Sequence, residues 1–433
     1  MKGLKRSPAT GLLYTTGSSA AVAAVDRLQH ELLRYGQDAA VIFRAVEADP
    51  DFAVGHALAA AVHLFTLSRA GQTRAAPHIV AAERLAPRAT AREGRLVAAV
   101  AAWFRGNTAR ARALHEDLAR QAPRDLVAAK IAQFHQLNCG DFAGMRRMTA
   151  ALMLHNPDVP QLSGMHAFAL DQTGDAQAAE RLGRDAADRD FDPWAEHAVA
   201  HALERHGRPA EAIAWLAPRS ARWARCSSFL NSHNWWHLAL FHLAAGADDQ
   251  ALALYDSRVW GIRKTYCQDQ VNAVSLLARL ELLGVAVGPR WEELAGWLAP
   301  RNGEHLNGFL DLHYVYGLAR AGEDQQVDRM LAALADRAGA ADATAAHRLT
   351  AQAAAGLVAH ARGRPARAAA LLGPILPALG CLGGSSTQHA LFRLIFQDAV
   401  SAAAPAEARR RHARQAPGHG AHAPAGPPLG AFA

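Results

Sequence analysis

Cysteine is scarce in this chain: Cys139, Cys226, Cys267 and Cys381 are the only four, and they lie far apart with no CxxC. That excludes a disulfide framework and a zinc knuckle, and it fits reduced thiols. Lysine is equally rare, with only Lys2, Lys5, Lys130 and Lys264, so arginine carries most of the basic charge. The formal net charge is +7, but the arginines are scattered singly among Asp and Glu or sit in the terminal "EARRRHARQ". No basic stripe with interleaved aromatics occurs, which argues against nucleic acid. Aromatics make up 7% of residues. No run approaches the ~20 apolar residues of a membrane span. Ser, Thr and Gly interrupt the N-terminal apolar stretch, so a leader peptide is not expected. A soluble cytoplasmic protein is expected.

What the chain has in quantity is alanine and helical periodicity, with no alternating strand pattern. A helix, a Gly, a polar turn and an Ala five residues after the Gly recur in "AAWFRGNTARARALHEDLARQAPRD", "GMHAFALDQTGDAQAAERLGRDA", "AVAHALERHGRPAEAIAWLAP" and "LALFHLAAGADDQALALYDS". The turn glycines read as Gly71, Gly106, Gly140, Gly174, Gly207, Gly246, Gly322 and Gly363, and the first four intervals are 35, 34, 34 and 33 residues. This is the period of tetratricopeptide repeats. A glycine ends one helix in a left-handed cap, and a small residue lets the next helix approach. The fold expected is all-α, a tetratricopeptide-repeat-like right-handed superhelix of antiparallel helix pairs with a concave face. It predicts a flexible N-terminus over 1–20, a repeat array over 21–403, and a disordered Ala/Pro/Gly/His-rich tail over 404–433. The interval widens to 39 before Gly246 and further before Gly322, so 218–231 and roughly 283–308 read as insertions or irregular connections.

Histidines cluster on the array. His197 and His201 are four apart, as are His233 and His237 in "SHNWWHLALFHLAAG". Residues four apart share a helix face. Two such pairs on neighbouring first helices make His197, His201, His233 and His237 the candidate catalytic or metal-ligating set. An i,i+4 His pair is a recurrent two-ligand geometry for zinc. His313 and Asp311 in "FLDLHYVYGLARAG" are candidates from a third helix, and Glu196, Glu204, Asp256 and Asp269 are carboxylate candidates. A mixed set would suit zinc, iron or manganese. Counting repeat positions back from the turn glycines puts Glu204, Arg205 and Trp236 on the groove wall and Trp235 in the core. His56 and His166 read as packing residues, and His389 as a cap or packing residue. No HExxH, Walker loop or GxSxG elbow occurs, and "GCLGGSS" reads as a loop.

Two function classes follow. One is a scaffold that holds a peptide, protein or small-molecule ligand in its His- and Trp-lined groove. The other is an enzyme in which a divalent metal or a histidine base acts in that groove.

The stretches "AEHAVAHALERHGRPAEAIAWL", "FLNSHNWWHLALFHLAAGADDQALALYD", "VNAVSLLARLELLGVAVGPRW" and "GFLDLHYVYGLARAG" resemble the tetratricopeptide repeat protein 38 family over residues 20–400. The resemblance implies a helical repeat protein and, for bacterial members, an oxidative tailoring role in secondary metabolism. It carries over His197, His201, His233, His237, Asp311 and His313. Asn272 stands where the family pattern has an acid, a departure that would remove a ligand or a base.

Overall fold

The computed structural model describes residues 3–404. They form an all-α, tetratricopeptide-repeat-like fold of antiparallel helix pairs. Contacts divide the chain into two compact units, the first comprising Met1–Leu137, Asp141–Ala202 and Arg222–Leu230, the second Asn138–Gly140, Leu203–Ala221 and Asn231–Ala433. In the first, Ala53–Leu64 packs on Arg69–Leu85, Ala91–Phe104 on Thr108–Gln121, and Gln161–Gln172 on Ala176–Arg189. In the second, Cys267–Leu282 packs on Arg290–Leu298, Gly308–Arg320 on Asp324–Gly339, and Ala345–Ala361 on Pro365–Leu372, which the Ser386–Ala403 helix covers. No single helix among the described residues is long and apolar enough to cross a membrane.

The turn chemistry explains the pairs. Gly106 has φ 76°, and the Asn107 N–H reaches back to the Ala102 carbonyl at 2.9 Å, closing the helix end. Asn107 then caps the next helix, its side chain accepting from the Arg110 N–H; Asp141 and Asp175 do the same after Gly140 and Gly174. The residue five beyond the turn glycine is buried each time, as Ala111, Met145, Ala179, Ala212, Ala251, Val327 and Ala368.

Three sequence expectations change. Gly71 is not a turn residue: it lies inside Arg69–Leu85, and the turn is made by Leu67 at φ 44° and the Ser68 cap. Gly284, at φ 84°, is a turn glycine. It makes Cys267–Leu282 and Arg290–Leu298 an ordinary pair, so 283–308 is no insertion; the stretch 218–231 holds the 3-10 segment Ala217–Arg225. Residues 3–20 are ordered where a flexible segment is expected. Leu4–Arg6 and Leu13–Thr15 pair as an antiparallel hairpin, Tyr14 packs edge-on against Phe52, and Thr15 donates from N and Oγ1 to Glu93 at 2.8 and 2.6 Å. The expectation for the tail falls, from residue 405 on, outside the described residues.

Candidate functional site

In the first unit, Asp192 starts the Pro193–Arg205 helix by accepting from the Trp194 and Ala195 N–H groups at 3.1 and 2.9 Å. Burial pushes its carboxyl up to about 7 against those bonds. The helix then places His197 and His201 one turn apart. Both are buried, their rings meet edge to face, and their Nε2 atoms are 3.1 Å apart. Behind His201 stands Asp171, fully buried on Gln161–Gln172, with Oδ2 at 3.7 Å from His201 Nδ1. That is ion-pair range rather than hydrogen-bond distance. Phe168 and Trp194 wall the pair, with Trp194 4.4 Å from the His197 ring centre. Glu196 is one residue away in sequence but turns elsewhere: Trp223 Nε1 donates to its Oε2 at 2.7 Å, and Arg222 pairs with Oε1.

In the second unit, His233 and His237 also meet edge to face, with ring centres 4.9 Å apart. His233 Nδ1 lies 2.9 Å from Asn272 Oδ1. Asn272 Nδ2 donates to Ser232 Oγ at 3.2 Å, and Ser232 Oγ donates to Asp269 Oδ1 at 2.9 Å. Burial pushes His233 down to about 4, against the Asn272 bond. Asn272 therefore holds the histidine through its amide oxygen.

Trp236 was expected on an open wall and Trp235 in the core; the structure reverses them. Trp236 is 0% exposed and stacks on His233 at 5.0 Å, whereas Trp235 is half-buried with Arg258 over its ring. Nearly every side of this helix is covered, so repeat position alone did not select the open one.

Asp311 and His313 have different partners. Asp311 Oδ1 accepts from His305 Nδ1 at 3.1 Å, while His313 Nδ1 donates to the Phe309 carbonyl at 2.8 Å and its ring packs on Phe309 and Phe392. Two residues along a helix are about 200° apart, so one set cannot use both. Glu204 and Arg205 are half-buried: Thr387 Oγ1 donates to Glu204 at 2.6 Å, and Arg205 reaches Ser386 Oγ at 3.4 Å. Asp256 pairs with Arg290. Of the packing histidines, His56 and His166 are bound as expected, His166 to Thr149 Oγ1 at 2.8 Å; His389 packs, with Nε2 donating to the Gly383 carbonyl at 2.6 Å.

Sequence reasoning missed Asp171 and Arg279. Asp171 is a carboxylate near the end of the apolar helix "QLSGMHAFALDQ", a signal in itself. Arg279 is buried beneath Trp236, pushed down to about 10 by burial, and donates to Thr387 O at 2.8 Å.

No family model matches the chain. It is similar to a structure of Naa15/Naa10 bound to HypK-THB, at 11% identity over 91% of this chain and 63% of that one, with a TM-score of 0.26. It is also similar to the crystal structure of the P58(IPK) TPR domain, at 12% identity over 79% of this chain and 99% of that one, with a TM-score of 0.19. The chain thus spans less than two thirds of the first of these. Scores this low bear on neither the site nor the function; by its own helix pairs, the chain is a tetratricopeptide-repeat-like protein.

Proposed function

We propose that this chain is a tetratricopeptide-like scaffold that holds a divalent transition-metal ion on His197 and His201, with Asp171 orienting His201. The observation that carries this reading is the 3.1 Å separation of two buried Nε2 atoms. An ion at zinc–nitrogen distances of about 2.0–2.1 Å from both would see an angle of roughly 100°, near tetrahedral. A carboxylate on the far side of a ligand histidine is the recurrent outer-shell arrangement; at 3.7 Å Asp171 acts on His201 by its charge, favouring the proton on Nδ1 and the lone pair on Nε2. Zinc and iron suit imidazole; manganese, which prefers oxygen, fits less well. With open positions the ion would polarise a bound water or small substrate. The resemblance to the tetratricopeptide repeat protein 38 family points the same way, toward a small-molecule tailoring enzyme.

The test is elemental analysis of the full chain grown with zinc, iron and manganese supplied. The wild type should carry metal that a His197→Gln, His201→Gln variant loses, and Asp171→Asn should weaken affinity by about 10–100-fold. Equal metal content in wild type and double variant, both folded by circular dichroism, would overturn the proposal.

A second reading, capture of a peptide or protein partner by the repeat surface, is favoured by the half-exposure of Glu204 and Arg205. Buried Trp236 takes no part in it. Arg205→Glu should then weaken binding of peptides selected on the full chain at unchanged melting temperature; unchanged binding would count against it.

A further inference from the structure

A second group of histidines lies elsewhere in the first unit, on one helix pair. His56 and His63 sit on Ala53–Leu64, seven residues and two turns apart, so they share a face. His78 comes from the partner helix Arg69–Leu85. His56 Nε2 lies 2.9 Å from the Pro50 carbonyl oxygen, and its Nδ1 lies 3.2 Å from His78 Nδ1. A carbonyl only accepts, so His56 Nε2 carries the hydrogen. In the neutral ring, Nδ1 is then a bare lone pair aimed at His78. The ring centre of His63 is 5.9 Å from that of His78, and Phe43 packs against both.

We infer that His56 and His78 form a two-imidazole binding site for an imidazole-preferring dication such as Zn2+, Cu2+ or Ni2+, independent of the His197–His201 pair. In the metal-free protein, His78 Nδ1–H bridges the 3.2 Å gap as a hydrogen-bond donor. In the bound protein the ion takes that proton's place, and the neutral His78 ring carries its proton on Nε2 instead, a tautomer change with no net proton release. At metal–nitrogen distances of about 2.0–2.1 Å the two atoms subtend about 100°. The Pro50 carbonyl is the outer-shell partner that fixes the His56 tautomer for ligation. His63 and His78 are half-buried, so an ion can reach them and water can fill its remaining positions. Burial first, then Arg74, holds His63 below its ordinary value; burial, then His56 and His63, does so for His78.

The experiment is equilibrium dialysis of metal-stripped full chain against Zn2+ alone, comparing wild type, His78→Ala, His63→Ala and the His197→Gln, His201→Gln variant. His78→Ala should bind one equivalent fewer than wild type, whereas His63→Ala should bind as many equivalents as wild type. The double variant should retain it, which separates this site from the other. Partly exposed His78 tolerates truncation, and a melting curve for each variant confirms folding. Equal zinc stoichiometry and affinity in wild type and His78→Ala would overturn the inference, whatever the double variant does.

Discussion

Acid should unfold this protein through its buried histidines, and His115 isolates the effect. His115 lies on Thr108–Gln121 with no exposure; Nδ1 donates to the Ala111 carbonyl at 2.8 Å, and Nε2 has no hydrogen-bond partner among the described residues. Burial pushes it down from 6.5 to about 4. The folded value lies below the unfolded one, so between pH 6.5 and 4 the unfolded state binds more protons. Stability therefore rises with pH and is lost as pH falls through that window. For one such group, linkage gives a loss of about 2 kcal/mol between pH 7 and pH 5. His233 and His389 are held at about 4 and His313 at about 3, also by burial. The four together amount to about 7 kcal/mol over the same interval, comparable with the ~5–15 kcal/mol total of a folded domain. The assay is urea denaturation followed by circular dichroism at pH 7 and pH 5, on wild type and His115→Leu. Leucine keeps the apolar volume and removes the proton site. The pH-dependent loss should shrink by about 2 kcal/mol in the variant. An identical loss in both proteins would refute the reasoning.

Gly383 should be intolerant of alanine: it sits at φ 96°, and a Cβ there would lie 2.9 Å from Asn138 Cα. Gly383→Ala should cost about 2–4 kcal/mol, strain plus clash, whereas Gly106→Ala, at φ 76° with open space, should cost about 1–2. Equal melting temperatures for the two would refute the distinction. Asn272→Asp should raise His233 from about 4 toward its ordinary value, because a carboxylate in place of the amide oxygen at 2.9 Å favours the imidazolium. Imidazole NMR titration reads this directly, and an unmoved His233 would show that the contact does not form.

The repeat was legible because its signals are local. A positive-φ glycine, a buried apolar residue five positions on and, after Gly106, Gly140 and Gly174, an Asn or Asp cap all lie within a few residues of one another. The same rule overlooked Gly284, where proline rather than alanine follows five residues later, and it misassigned Gly71, where a serine cap had replaced the glycine turn. The hairpin over Leu4–Thr15 escaped because strands of three residues leave no alternation to read. Within the site, the i,i+4 spacing was enough to join His197 to His201 and His233 to His237. The orientations of Asp171, Asn272 and His305 depend on the register between different elements, which a single helix pattern does not encode. His56 was read as packing; its Pro50 contact fits that, but its approach to His78 comes from a partner helix.

The central claim concerns what lies between two imidazoles, and isothermal titration of metal-stripped full chain with Zn2+ addresses it most directly. The account expects a saturable site in the wild type that is missing from His201→Gln and weakened in Asp171→Asn. Superimposable isotherms for wild type and His201→Gln would contradict it.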